Sequence, residues 1–135
     1  MIELEPIEPF LRHEALLDDI IVVLRGGPIA AAKIVEHAPR EARAHSFQGK
    51  PLHSVSVSLT IDDWTLDDVL AGPLASRSTY AVSTVGRLRN EGLLLLPTYT
   101  KPHYDLVLNS PHYDEAERLL NMFSHPLPNP HKRRR

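Results

Sequence analysis

Cysteine is absent from the 135 residues, which removes disulfide staples, thiolate zinc sites and a cysteine nucleophile together. A reducing compartment suits such a chain, and the cytoplasm is the expected location. No apolar run approaches the roughly 20 residues that span a bilayer, and the opening Met1-Ile2-Glu3-Leu4-Glu5-Pro6 is acidic where a secretory signal is basic. Neither secretion nor membrane anchoring is expected. Net charge is scarce too: a formal -2 provides no general field for polyanions, so any nucleic-acid contact has to be local. The phosphate-binding glycine spacing that ends in Lys-Ser or Lys-Thr is missing, as are a Gly-x-Ser-x-Gly elbow and a His-x-x-x-His or Glu-x-x-His pair. A P-loop, a hydrolase serine and a metal site are therefore not expected.

What is present is ordinary globular composition, 42% apolar and 24% charged, in a length that supports one hydrophobic core and hardly two. Ile20 to Leu24 is a β-branched run closed by Arg25-Gly26-Gly27-Pro28, and predicts a buried strand that feeds a turn. An alanine-rich stretch from Ile29 predicts a helix ending before Pro39. Alternation from Leu52 to Leu59 predicts a strand with Ser54, Ser56 and Ser58 on one face. Thr65 followed by Asp68 predicts the start of a helix over 66–71. Ser76 or Ser78 then caps a further helix in which Ala81, Val85 and Leu88 share a face, with Gly92 at its C-terminal end. Strands are expected near 93–97 and 104–108, and a last helix over 114–123. These elements predict an α+β fold over residues 1–123, one compact domain whose small mixed or antiparallel sheet is flanked by helices, with 124–135 as a disordered proline-rich basic tail.

Four places carry residues suited to chemistry. Arg25 stands at the carboxyl end of a strand beside Gly26 and Gly27, an arrangement that admits an anion to the backbone; the plain alternative is a turn with a solvated arginine. Ser54, Ser56 and Ser58 line up hydroxyls that can position a ribose, a phosphate or a catalytic carboxylate, or simply form a solvated strand face. Glu91 precedes the leucine run, either at the lip of a site or as a surface residue in the last helical turn. His103 offers an acid or base near neutrality with Tyr99 and Tyr104 as stacking surfaces, or is a polar loop histidine.

The series Arg25-Gly26, Ser54-Val55-Ser56-Val57-Ser58, then Glu91 ahead of Leu93-Leu94-Leu95-Leu96-Pro97 resembles the arginine, serine-x-serine, glutamate order of ADP-ribosyltransferases. That resemblance implies a toxin-like transferase using NAD, with Arg25 on the phosphates, Ser56 ordering the site and Glu91 at the reacting ribose. Where that family has Glu-x-Glu, this chain has Arg89-Asn90-Glu91. The combination of Arg25-Gly26-Gly27, the Ser-Val strand, Leu96-Pro97-Thr98 and Pro102-His103-Tyr104 also resembles a set of small bacterial proteins that carries no activity with it. Two non-catalytic alternatives compete. The element order from Ile29 to Leu108 fits a winged helix, with Ser78 to Leu88 and Arg77, Arg87 and Arg89 as recognition helix, the tail His131-Lys132-Arg133-Arg134-Arg135 also on nucleic acid, and Lys101 at the wing tip. The other is a subunit that works by surface contact with a protein partner such as an antitoxin.

Overall fold

The computed structural model describes residues 2–3, 16–25, 45–47, 50–51, 54–97, 101–108 and 113–132. In chain order these form strands β1 (Ile2–Glu3), β2 (Ile21–Arg25), β3 (His45–Phe47), β4 (Lys50–Pro51) and β5 (Ser54–Leu59), helix α1 (Leu66–Ala71), β6 (Thr79–Thr84), α2 (Val85–Asn90), β7 (Leu94–Pro97), β8 (His103–Val107), α3 (Tyr113–Leu120) and β9 (Leu127–Pro128). Six strands make an open antiparallel sheet in the order β7-β8-β5-β2-β6-β9, while β1, β3 and β4 make a small mixed one. The α+β expectation holds, and all four predicted strands lie in the larger sheet. The predicted helix after Ile29 falls outside the described residues. Among the described residues no helix is long and apolar enough to cross a membrane.

Strand alternation sends β2 side chains to both faces of this sheet, and each face has its own core. On the first face Val22 and Leu24 join Val57, Leu59, Tyr104, Leu106 and Leu95, covered by Val85 and Leu88 from α2 and by Ala116 and Leu119 from α3. On the second, Val23 packs with Val82, Tyr80 and Ile21 under Val69 and Leu70 of α1, together with Leu74 and Trp64. Val22, Val23, Leu59, Leu88 and Leu119 are fully excluded from solvent. Burial of each such side chain contributes roughly 1.5–3 kcal/mol.

Local chemistry accounts for the helices. Thr65 and Asp68 form a reciprocal capping box, Thr65 Oγ1 accepting from Asp68 N and Asp68 Oδ2 accepting from Thr65 N, so α1 starts where its sequence predicts. Thr84 caps α2 by accepting from Arg87 N, and Gly92 at φ 78 turns the chain out of it into β7. The predicted helix from Ser76 or Ser78 is corrected: residues 79–84 are β6, and only Val85–Asn90 is helical. Thr79-Tyr80-Ala81-Val82-Ser83-Thr84 is rich in β-branched and aromatic residues, and β2 offers it an unpaired side, which it fills over five residue pairs from Ile21↔Thr84 to Arg25↔Tyr80. Ala81, Val85 and Leu88 still reach one core, by way of a strand that runs straight into a helix.

The tail boundary is corrected as well, since residues 124–132 are attached to the domain. Ser124 N donates to Val82 O and Ser124 Oγ accepts from Val82 N; then Leu127 and Pro128 pair with Tyr80 and Thr79. Asn129 is buried, and its Nδ2 donates to the carbonyls of Leu70, Leu74 and Arg77. His131 meets Asp67, and Lys132 Nζ donates to Ser76 O. Prolines exclude a helix here, but their extended backbone suits an edge strand whose outward N–H is not required.

Candidate functional site

Half of the second sheet face is polar. Ser54, Ser56 and Ser58 of β5 alternate with Val55, Val57 and Leu59, so the three hydroxyls lie on the face opposite the main core. Across the ladder to β8, Ser54 stands opposite Val107, Ser56 opposite Asp105 and Ser58 opposite His103. On the other side of β5, Val23 of β2 is opposite Ser58 and Leu24 is opposite Val57. Arg25, one residue further, thus comes beside Ser56, and its partner on β6 is Tyr80. One row across four strands therefore reads Tyr80, Arg25, Ser56, Asp105, with Leu96 of β7 beyond.

This face is not the solvated one that serine alternation alone allows. Ser54 is 3% exposed, Ser58 6% and Asp105 2%. Ser54 Oγ donates to Asp105 Oδ1 at 3.1 Å, a hydrogen bond to a carboxylate in a water-poor setting. His103 is half-buried in the same patch. Asp105 was not among the residues that sequence reasoning selected. Its signal was present in His103-Tyr104-Asp105-Leu106-Val107, where strand alternation puts the aspartate on the same face as the histidine and opposite Tyr104 and Leu106.

Extending the β2–β5 register by one residue sets the Arg25 backbone level with Ser56, but Glu91 lies elsewhere. Glu91 ends α2, and its carboxylate lies 3.2 Å from Arg118 of α3, which also holds Glu115 and the Glu91 carbonyl. Both helices pack on the first face, so the sheet stands between Glu91 and Ser56. Tyr104 likewise belongs to the first face, in the apolar core opposite Val57, instead of bordering the serines. Burial pushes its hydroxyl up to about 12, with the Asp62 carboxylate adding to the effect. Gly26, Gly27 and Tyr99 fall outside the described residues. Among those described, no group of three or more His, Asp or Glu residues is placed to hold a metal ion.

The fold excludes a winged helix, because residues 79–84 of the supposed recognition helix are a strand inside a six-stranded sheet. Of its three arginines Arg77 is exposed, while Arg87 and Arg89 are engaged within the chain. Arg87 Nη2 donates to Asn121 O at 3.0 Å, while Arg89 binds Asp18 at 3.1 Å and donates to Leu16 O. Lys101, the supposed wing tip, is paired with Asp62. Comparison of the chain with protein-family models, with curated proteins and with solved structures gave no match.

Proposed function

We propose that the protein binds a phosphate-bearing small molecule over the polar half of the second sheet face, with NAD as that ligand. The observation that carries this is the row formed by Arg25, Ser56 and Asp105 on adjacent strands, flanked by Ser54, Ser58 and His103. A guanidinium pairs with phosphate oxygens, and serine hydroxyls both donate to and accept from ribose. A carboxylate on the same face supplies negative charge where a sugar carbon becomes positive. In a transferase Asp105, not Glu91, would supply that charge from behind the serines, since it is buried and accepts from Ser54 Oγ: nicotinamide leaves with the bonding electron pair, and the acceptor that attacks the cationic ribose carbon gives its proton to solvent.

Titration with NAD followed by thermal denaturation tests this, since a ligand that binds only the native state raises its stability. At about 100 times Kd the gain is about 2.7 kcal/mol. At about 4 °C per kcal/mol this is a rise of roughly 10 °C. The rise is expected to fall in Ser56→Ala and to vanish in Arg25→Ala. No rise with NAD, or the same rise in all three proteins, refutes the proposal. ADP-ribose and inorganic phosphate in parallel titrations show whether the phosphates alone are recognised.

A further inference from the structure

Residues 124–132 are held to the domain as a peptide is held by a receptor. Of these residues only Asn129 is buried, and among the described residues neither core includes one beyond Phe123. The attachment is made instead of strand pairing and side-chain recognition. Val82 N donates to Ser124 Oγ and Ser124 N to Val82 O, Leu127 pairs with Tyr80, and Asn129 N donates to Ser78 O, so the segment meets alternate residues along one strand edge. Past that edge, the end of α1 and the loop after it offer their carbonyls as a cup. Asn129 Nδ2 reaches Leu70 O, Leu74 O and Arg77 O, and Lys132 Nζ reaches Ser76 O. An extended backbone laid along a sheet edge, with a side chain filling a specific recess, is a recurring way for sheets to bind peptides.

We propose that the β6 edge and the 70–78 stretch form a peptide-docking groove, and that its occupant in trans is residues 127–132 of a second copy. The groove's chemistry sets that occupant. A cup of carbonyls requires a donor side chain and rejects a carboxylate, the strand edge requires an extended backbone, and Asp67 beside His131 favours a basic end. Leu127-Pro128-Asn129-Pro130-His131-Lys132 meets all three conditions, its prolines holding φ near extended values, and every copy carries both groove and ligand. His125 and Pro126, both exposed, are the hinge from which the segment leaves its own β6 for that of the other copy. The exchange replaces each contact with an identical one, so it needs no new interface. Because the segment is tethered beside its own groove, the closed form prevails in dilute solution and exchange grows with chain concentration.

Single-cysteine chains test this cleanly, since the sequence has no cysteine of its own. Thr79 and Pro128 are partners across β6 and β9, so Thr79→Cys in one chain meets Pro128→Cys in another when the segment of the second sits in the groove of the first. Mixed at about 1 mM, the scale of a tethered segment's effective concentration, and oxidised slowly in air, this pair is expected to give a disulfide heterodimer. Its yield should exceed several-fold that of Pro128→Cys mixed with Leu94→Cys, a more exposed position on β7 at the far end of the sheet. A second measurement uses the full chain carrying Asn129→Ala, whose own segment is held less tightly, with a fluorescent peptide of residues 124–132. Anisotropy is expected to show saturable binding, about thirtyfold weaker when the peptide itself carries Asn129→Ala, the worth of two net hydrogen bonds. Equal heterodimer yields in the two mixtures, or equal affinity of the two peptides, overturns the proposal. Neither measurement involves NAD, so the groove and the candidate site are tested apart.

Discussion

Replacing Asn129 with alanine removes a side chain that joins three stretches of backbone. Its Nδ2 lies 3.2 Å from Leu70 O, 2.9 Å from Leu74 O and 3.1 Å from Arg77 O, while Oδ1 accepts from His131 N at 2.9 Å. The amide has two hydrogens for three acceptors, and Leu74 O keeps a second donor in Arg77 N, so the loss falls mainly on Leu70 O and Arg77 O. Two net hydrogen bonds at about 1 kcal/mol each, together with the cost of a buried carbonyl left without a donor, make about 3 kcal/mol. For a chain of this length that is a fall in melting temperature of roughly 12 °C. Urea denaturation followed by circular dichroism checks it, with the midpoint expected to drop at nearly constant slope. Asn129→Asp retains an acceptor for His131 N but no donor, and should fall at least as far as alanine. A loss below about 1 kcal/mol in Asn129→Ala would mean that residues 124–132 contribute little to the fold, and would refute the reasoning.

Ser54→Ala removes a donor from the buried Asp105 carboxylate and should cost about 1.5–3 kcal/mol in the same denaturation assay, against a few tenths if the bond is unimportant. In Gly86→Ala the new Cβ would lie 2.8 Å from Asp18 Cβ, an atom fixed to backbone whose own carbonyl binds Gly86 N. The clash should outweigh the gain in helix propensity of about 1 kcal/mol, and a variant more stable than wild type would contradict the packing at the β2–α2 junction. The Tyr104 hydroxyl is raised to about 12 in the folded chain, so its neutral form is favoured there. Below about pH 10 both states are protonated and nothing is lost; between about 10 and 12 the unfolded chain ionises first, and stability falls with rising pH by roughly 2–3 kcal/mol. Tyr104→Phe should flatten that part of the pH–stability curve relative to wild type, and parallel curves would show that the residue is not shielded.

Elements whose cause is local were readable from the residues alone. The β-branched run Ile20 to Leu24, the Thr65 and Asp68 capping pair, and Gly92 where the chain needs a positive φ each act within a few positions, and each forms where expected. The β6 segment shows the limit of such signals. Serine and threonine cap helices and also populate strands, and what decided between them was the open side of β2, 55 or more residues earlier in the chain. The prolines after Phe123 exclude a helix in any context, yet whether they end in solvent or along β6 depends on acceptors at Leu70, Leu74 and Arg77.

The candidate site divides in the same way. Period-two spacing by itself puts Ser54, Ser56 and Ser58 on one face, because alternation is a property of the extended backbone itself. Register across the sheet set Asp105 opposite Ser56 and, extended by one residue along β2, brings the Arg25 backbone level with them, and it is not encoded in any one strand. Glu91 shows the converse: it follows the serines in order along the chain, but α2 packs on the opposite face and ties it to Arg118. Residue order and composition by themselves determined an α+β chain with its main strands, a serine face and no cysteine chemistry. Which polar residues share that face, which are withdrawn into ion pairs, and that residues 124–132 are attached to the sheet were decided by tertiary structure, because burial and pairing depend on partners that lie tens of residues apart.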